Sequence, residues 1–148
     1  MLLMHKIAVE FPERILFLKS RAAIVITKAA ASFKEFFHQR IRWASKADKY
    51  PDKKITAVLL LVYLFNLWIL LSFIFLFFYD SLFFWCIGLL AGKTIIELYF
   101  LYPVATFFGK KSLLWWFPLA QPFHILYTTI AGWLGKFGSY KWKERKVK

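Results

Sequence analysis

From Ile55 to Tyr79 the chain runs for twenty-five residues without a charged side chain, bounded by Lys53-Lys54 and Asp80. As an α-helix this stretch is about 37 Å long, against a bilayer hydrocarbon core of about 30 Å. It therefore crosses with some tilt. Its apolar positions, at roughly −0.3 to −0.6 kcal/mol each near the centre, outweigh the one amide, Asn66. That amide serves either as a helix–helix hydrogen bond or as part of a membrane route.

The charge distribution follows from such a span. The 148 residues are 60% hydrophobic and 22% aromatic, yet carry a net charge of +13. Residues 1–54 hold twelve Lys/Arg against five acids, residues 55–108 one against two, and residues 109–148 eight against one. Basicity thus sits on the flanks of the apolar region, where each cation near an anionic leaflet contributes about 1 kcal/mol. This segregation argues against nucleic acid as a partner and for the lipid bilayer. The one cysteine, Cys86, lies in an apolar segment, so there is no disulfide framework. His5, His38 and His124 have no metal-ligand spacing, and no metal site is assigned. Met1 to Met4 is too short an apolar run for a signal peptide.

Asp80-Ser81 is a short turn into a second apolar stretch, Leu82 to Phe108. It contains Gly88-x-x-x-Gly92, a pattern of closely packed membrane helices. Lys93 and Glu97 follow at i, i+4. Either charge alone at mid-bilayer costs about 2.5–3.5 kcal/mol, and a mutual pair costs less. They form either a neutralised structural pair or, with Asn66, a candidate membrane pathway. Leu113 to Leu134 is expected as a third span, although Pro118 and Pro122 also allow a re-entrant element. Three full spans place the basic tail opposite residues 1–54, against the positive-inside rule; a re-entrant segment restores it.

Ahead of the first span lies Ser32 to Lys54. Ser32 with Glu35 is a capping box, so a helix begins there. Phe33, Phe37, Ile41 and Ala44 recur at helical spacing, with Phe36 beside them, while Lys34, Arg40 and Lys46 lie off that stripe. A basic amphipathic helix of this kind lies along a membrane surface. Gln39, Arg42 and Trp43 stand at i, i+3 and i+4, on neighbouring points of the helix. An amide, a guanidinium and an indole so grouped can hold a diphosphate and stack on a sugar ring. Tyr50-Pro51-Asp52-Lys53-Lys54 is the hinge into the membrane. Upstream, Leu2 to Val9 reads as a short helix stopped by Pro12. Ile15 to Leu18 and Ala23 to Thr27 read as two strands or extended segments, too few for a stable sheet.

The Gln39-x-x-Arg42-Trp43 string resembles the motif of membrane-embedded family 2 glycosyltransferases, the group of cellulose, hyaluronan and poly-N-acetylglucosamine synthases. In that family the motif lies on an interfacial helix between the catalytic domain and the C-terminal spans, and its context here is the same. The resemblance implies that Gln39 and Arg42 bind the donor diphosphate and that Trp43 stacks on the acceptor. It makes Arg40, on another face, a lipid-headgroup contact. It also implies an acidic catalytic-base motif, a D-x-D metal motif and Mg²⁺ or Mn²⁺ in the full-length enzyme. None of the aspartates Asp48, Asp52 and Asp80 sits in a D-x-D. On this resemblance the chain is expected to be the C-terminal part of such an enzyme, without catalytic residues of its own and inactive alone, with Met1 an internal or misassigned start or the whole a gene fragment.

The expected fold is mainly α and membrane-embedded. Residues 1–31 are the remnant of an α/β catalytic domain, 32–54 an interfacial helix and hinge, 55–135 two to three transmembrane helices, and 136–148 a basic tail. The expected function is transfer of a sugar from a nucleotide-sugar donor to a glycan or lipid acceptor, at the inner membrane, with residues 1–54 cytoplasmic. The other reading is a small non-enzymatic membrane protein, a scaffold or transport subunit.

Overall fold

A computed structural model describes residues 2–142 and 145–147 of the chain. It is mainly helical and divides into two compact units, residues 1–62 with 130–148, and residues 63–129.

In the first unit, α1 (Leu2–Glu10) ends at a 3₁₀ turn, Pro12–Arg14. The segments expected as strands do not pair into a sheet: Ile15 and Ile24 have extended backbone, and a 3₁₀ turn occupies Arg21–Ala23. Ile15 and Ile24 are half-buried and the remaining apolar side chains are exposed, Leu16 and Ile26 each by 92%. Extended chain without a neighbour makes no ladder, which is why no strand forms here.

Next comes α2 (Phe33–Ala44), the amphipathic helix. Its capping box forms in a shifted version. Ser32 Oγ accepts from the Glu35 amide at 3.2 Å, while Glu35 Oε2 accepts from the Ala31 amide at 2.8 Å, one residue before the cap itself. The apolar stripe is only partly covered. Ile41 is 6% exposed and Phe37 half-buried, but Phe33 stays in the open.

The hinge is shorter than its composition suggests, because Lys53 and Lys54 belong to the next helix, α3 (Lys53–Phe75). Asp52 Oδ1 accepts from the Lys54 amide at 2.8 Å and caps its first turn. Thr56 Oγ1 then donates to the Ala47 carbonyl at 3.2 Å, tying α3 to the 3₁₀ turn Ala47–Lys49.

The second unit holds the rest of α3, then α4 (Phe83–Phe107) and the beginning of α5 (Phe117–Phe137). A 3₁₀ turn over Asp80–Leu82 leads into α4. At the far end of α4, Gly109 takes φ +67°, the left-handed conformation that glycine adopts without penalty. This lets the Gly109 amide reach the Thr106 carbonyl and the Lys110 amide the Ala105 carbonyl, closing the helix with a Schellman motif. A six-residue 3₁₀ segment, Lys111–Trp116, connects to α5. Among the described residues, the buried ones of this unit are few and mostly polar: Ile69, Cys86 and Ile125 beside Asn66, Ser72, Lys93, Thr94, Gln121 and Thr129.

Among the described residues, α3 and the stretch containing α4 are long and apolar enough to cross a membrane. Gln121, His124, Thr128 and Thr129 make α5 more polar, with Pro118 and Pro122 in its first turns. Gly88 and Gly92 do not pack here against another helix of the chain: a β-carbon on either would meet nothing within 4 Å.

In the first unit α5 ends close against α2. A β-carbon on Gly135 would lie 2.7 Å from Ala44 Cβ and 2.8 Å from the Ser45 nitrogen. The basic tail contains an antiparallel pair, β1 (Tyr140–Trp142) with β2 (Arg145–Val147), and β1 lies against α2. Residues 143, 144 and 148 of that tail lie outside the described residues.

Candidate functional site

The residues singled out by the motif all stand on α2. At about 100° per residue, Arg42, Gln39, Trp43 and Arg40 fan across roughly 160° of the helix, with Ile41 opposite. The burial pattern follows that arc. Ile41 is the buried residue, Gln39 and Arg42 are half-buried, and Trp43 is 52% exposed. The last turn is closed by backbone and side chain together: the Ser45 amide donates to the Ile41 carbonyl at 2.9 Å, and Ser45 Oγ donates to the Arg42 carbonyl at 2.9 Å. The part of α2 that carries Arg42 and Trp43 is therefore held against fraying.

Arg40 departs from its expected place. Its guanidinium carbon lies 4.6 Å from the Trp43 ring and 4.8 Å from the Phe36 ring. Residues three and four apart on a helix are surface neighbours, and cations favour the faces of aromatic rings. Phe36-x-x-x-Arg40-x-x-Trp43 was thus legible as a stack, which assigning Arg40 to another face overlooked. Phe36 also meets Phe37 edge to face, with ring centres 6.0 Å apart.

A second polar cluster sits between α4 and α5. Lys93 and Glu97 pair at 2.5 Å, as their i, i+4 spacing predicts. Gln121, from α5, completes the group: Lys93 Nζ donates to Gln121 Oε1 at 3.1 Å, and Gln121 Nε2 donates to Glu97 Oε2 at 2.5 Å. Each of the three side chains contacts the other two. Gln121 is fully buried and Lys93 nearly so, and the Glu97 side chain keeps 31% exposure. Spacing along one helix could not reveal Gln121. The available signal was an amide lodged among apolar residues and two prolines, which needs a partner when buried. Asn66, on α3, is 1% exposed.

Among the described residues no three His, Cys, Asp or Glu side chains gather as a metal site. No family model, curated protein or solved structure matches this chain.

Proposed function

We propose that this chain is the acceptor-side, membrane-embedded part of a glycosyltransferase resembling the family 2 polysaccharide synthases. The observation that carries the reading is the partly exposed polar arc of α2. Gln39, Arg42 and a half-exposed Trp43 stand together on a capped helix whose opposite side is packed, some nine residues before an apolar helix. A planar guanidinium grips phosphate oxygens in a bidentate way, and an indole offers a flat apolar face to a pyranose. On this reading Gln39 and Arg42 take the diphosphate of a nucleotide sugar, and Trp43 takes the glycan or lipid-linked acceptor.

Exposure supports membrane insertion. The windows that qualify α3 and α4 as spans are only 11% buried, which favours membrane helices over core helices of a soluble domain. Leu61, Phe84, Ile96 and Phe100 are among many apolar side chains facing outward, as suits an apolar solvent. Packing of Gly135 on Ala44 and Ser45 brings the basic C-terminal end beside basic α2. With α3 and α4 as the two crossings, α5 enters and leaves from one side. Both basic ends then face the cytoplasm, as the positive-inside rule requires.

Leu16, Phe17, Leu18, Val25 and Ile26 are exposed outside any candidate span, an apolar surface suited to cover by a catalytic domain bearing the metal and base carboxylates. The metal, Mg²⁺ or Mn²⁺, belongs to that domain. The closed ring of Lys93, Glu97 and Gln121 favours a role fastening α5 to α4 over a role in a glycan route through the membrane.

The test is genetic, then biochemical. DNA preceding Met1 is expected to encode, in frame or after a frameshift, a D-x-D and a later acidic motif. In the enzyme so assembled, Trp43→Ala abolishes sugar transfer but not membrane insertion. Unrelated upstream DNA, or full transfer by the variant, defeats the proposal.

A further inference from the structure

We infer that Arg40 is the positioning residue of the candidate acceptor platform: its guanidinium, stacked on Trp43 and Phe36, fixes the indole so that one face is closed and the other is offered to a single pyranose. The inference rests on the reading of Trp43 as an acceptor contact and assigns a role to a residue outside the Q-x-x-R-W letters.

Geometry supports it first. Arg40 lies 4.6 Å from the Trp43 ring centre and 4.8 Å from that of Phe36, one cation between two aromatic groups on the same helix. With one face of the indole so occupied, and the residue still 52% exposed, the site is a one-sided platform rather than a slot between two rings. Such a platform suits a sugar with one apolar face and hydroxyls around its rim.

Competition with lipid supplies the second argument. A tryptophan near the bilayer surface ordinarily settles at the headgroup level, its ring against the acyl boundary. The Arg40 charge favours water or headgroups, and stacking on it holds the indole toward the polar side. Without that cation the ring regains its other staggered rotamers, including those that dip toward lipid. A cation–π contact at an exposed site is worth roughly a two- to fivefold population ratio. Saccharide affinity should fall by about that factor when the contact is lost.

The experiment uses the full chain in lipid nanodiscs, labelled with 5-fluorotryptophan, with the Trp43 ¹⁹F resonance identified by its loss in Trp43→Phe. Hexasaccharides of β-1,4-linked glucose and of β-1,4-linked N-acetylglucosamine are the probes. In saccharide-free protein, Arg40→Gln should shift the Trp43 resonance, with helix content unchanged by circular dichroism; an unmoved resonance overturns the stacking. In titrations, wild-type Trp43 should respond to at least one probe. Arg40→Gln should then weaken that binding two- to fivefold, with Arg40→Lys between the two. Equal affinity in wild type and Arg40→Gln overturns the positioning role while leaving the acceptor reading standing. No response of wild-type Trp43 to either probe removes the acceptor reading, and the inference with it.

Discussion

Gly135 of α5 lies so close to Ala44 of α2 that a β-carbon at position 135 would sit 2.7 Å from the alanine methyl group. The same β-carbon would press on the Ser45 backbone nitrogen at 2.8 Å, and backbone cannot swing aside as a long side chain can. This approach joins the C-terminal part of the chain to the helix that carries Gln39, Arg42 and Trp43.

Gly135→Ala should therefore destabilise the protein by about 1–3 kcal/mol, the usual cost of overpacking a tight contact. Gly88→Ala and Gly92→Ala are the controls, since nothing lies within 4 Å of either new methyl group. Both should match wild type or exceed it by up to about 1 kcal/mol through helix propensity. Thermal unfolding in nanodiscs checks the order. A Gly135→Ala protein as stable as the controls would contradict the contact.

Sidedness gives a second prediction. Lys34, Ser81 and Ser139 are exposed, and lie on α2, between α3 and α4, and just beyond α5. In a Cys86→Ala background, single cysteines at 34 and 139 should react with a membrane-impermeant maleimide from the same side, and a cysteine at 81 from the other. Labelling of 34 and 139 from opposite sides would restore three full crossings.

The polar ring predicts strong non-additivity. Lys93→Met leaves the Glu97 carboxylate without its cation in an apolar setting, a loss of up to about 3–5 kcal/mol for a buried pair. The partial exposure of Glu97 reduces that figure. Lys93→Met with Glu97→Gln removes both charges and should regain most of the stability. Resistance to unfolding in detergent measures the cycle. Additive losses would show that the pair is not coupled.

At the start of α2, Ser32→Ala removes the acceptor for the Glu35 amide and should cost about 1 kcal/mol of local stability. Hydrogen exchange at Glu35 should then quicken by roughly fivefold, with Trp43 amide protection unaffected. Unchanged exchange at Glu35 would mean that the cap makes no energetic contribution.

Much of this was written in the chain itself. The existence of α2, α3 and α4, the Ser32 cap and the Lys93–Glu97 pair all arise from residues within four positions of one another, although α3 ends at Phe75 and not at Tyr79. Local spacing determines such features because helical geometry brings i, i+3 and i+4 together whatever the rest of the chain does. The Arg40 stack belongs to the same group, since Phe36, Arg40 and Trp43 stand at i, i+4 and i+7. The extended segments 15–18 and 24–27 stayed out of any sheet because a strand needs a neighbour, and composition does not supply one.

Other features needed the chain to fold back on itself. Gln121 meets Lys93 and Glu97 across 28 and 24 residues. Gly135 meets Ala44 across more than ninety, and the tail pairs as β1 and β2 beside α2. Hydrophobic pattern sets which residues leave water but not which ones meet, since apolar attraction has no direction and lipid satisfies it as well as protein does. Only tertiary packing could place the C-terminal end next to the helix of the candidate site.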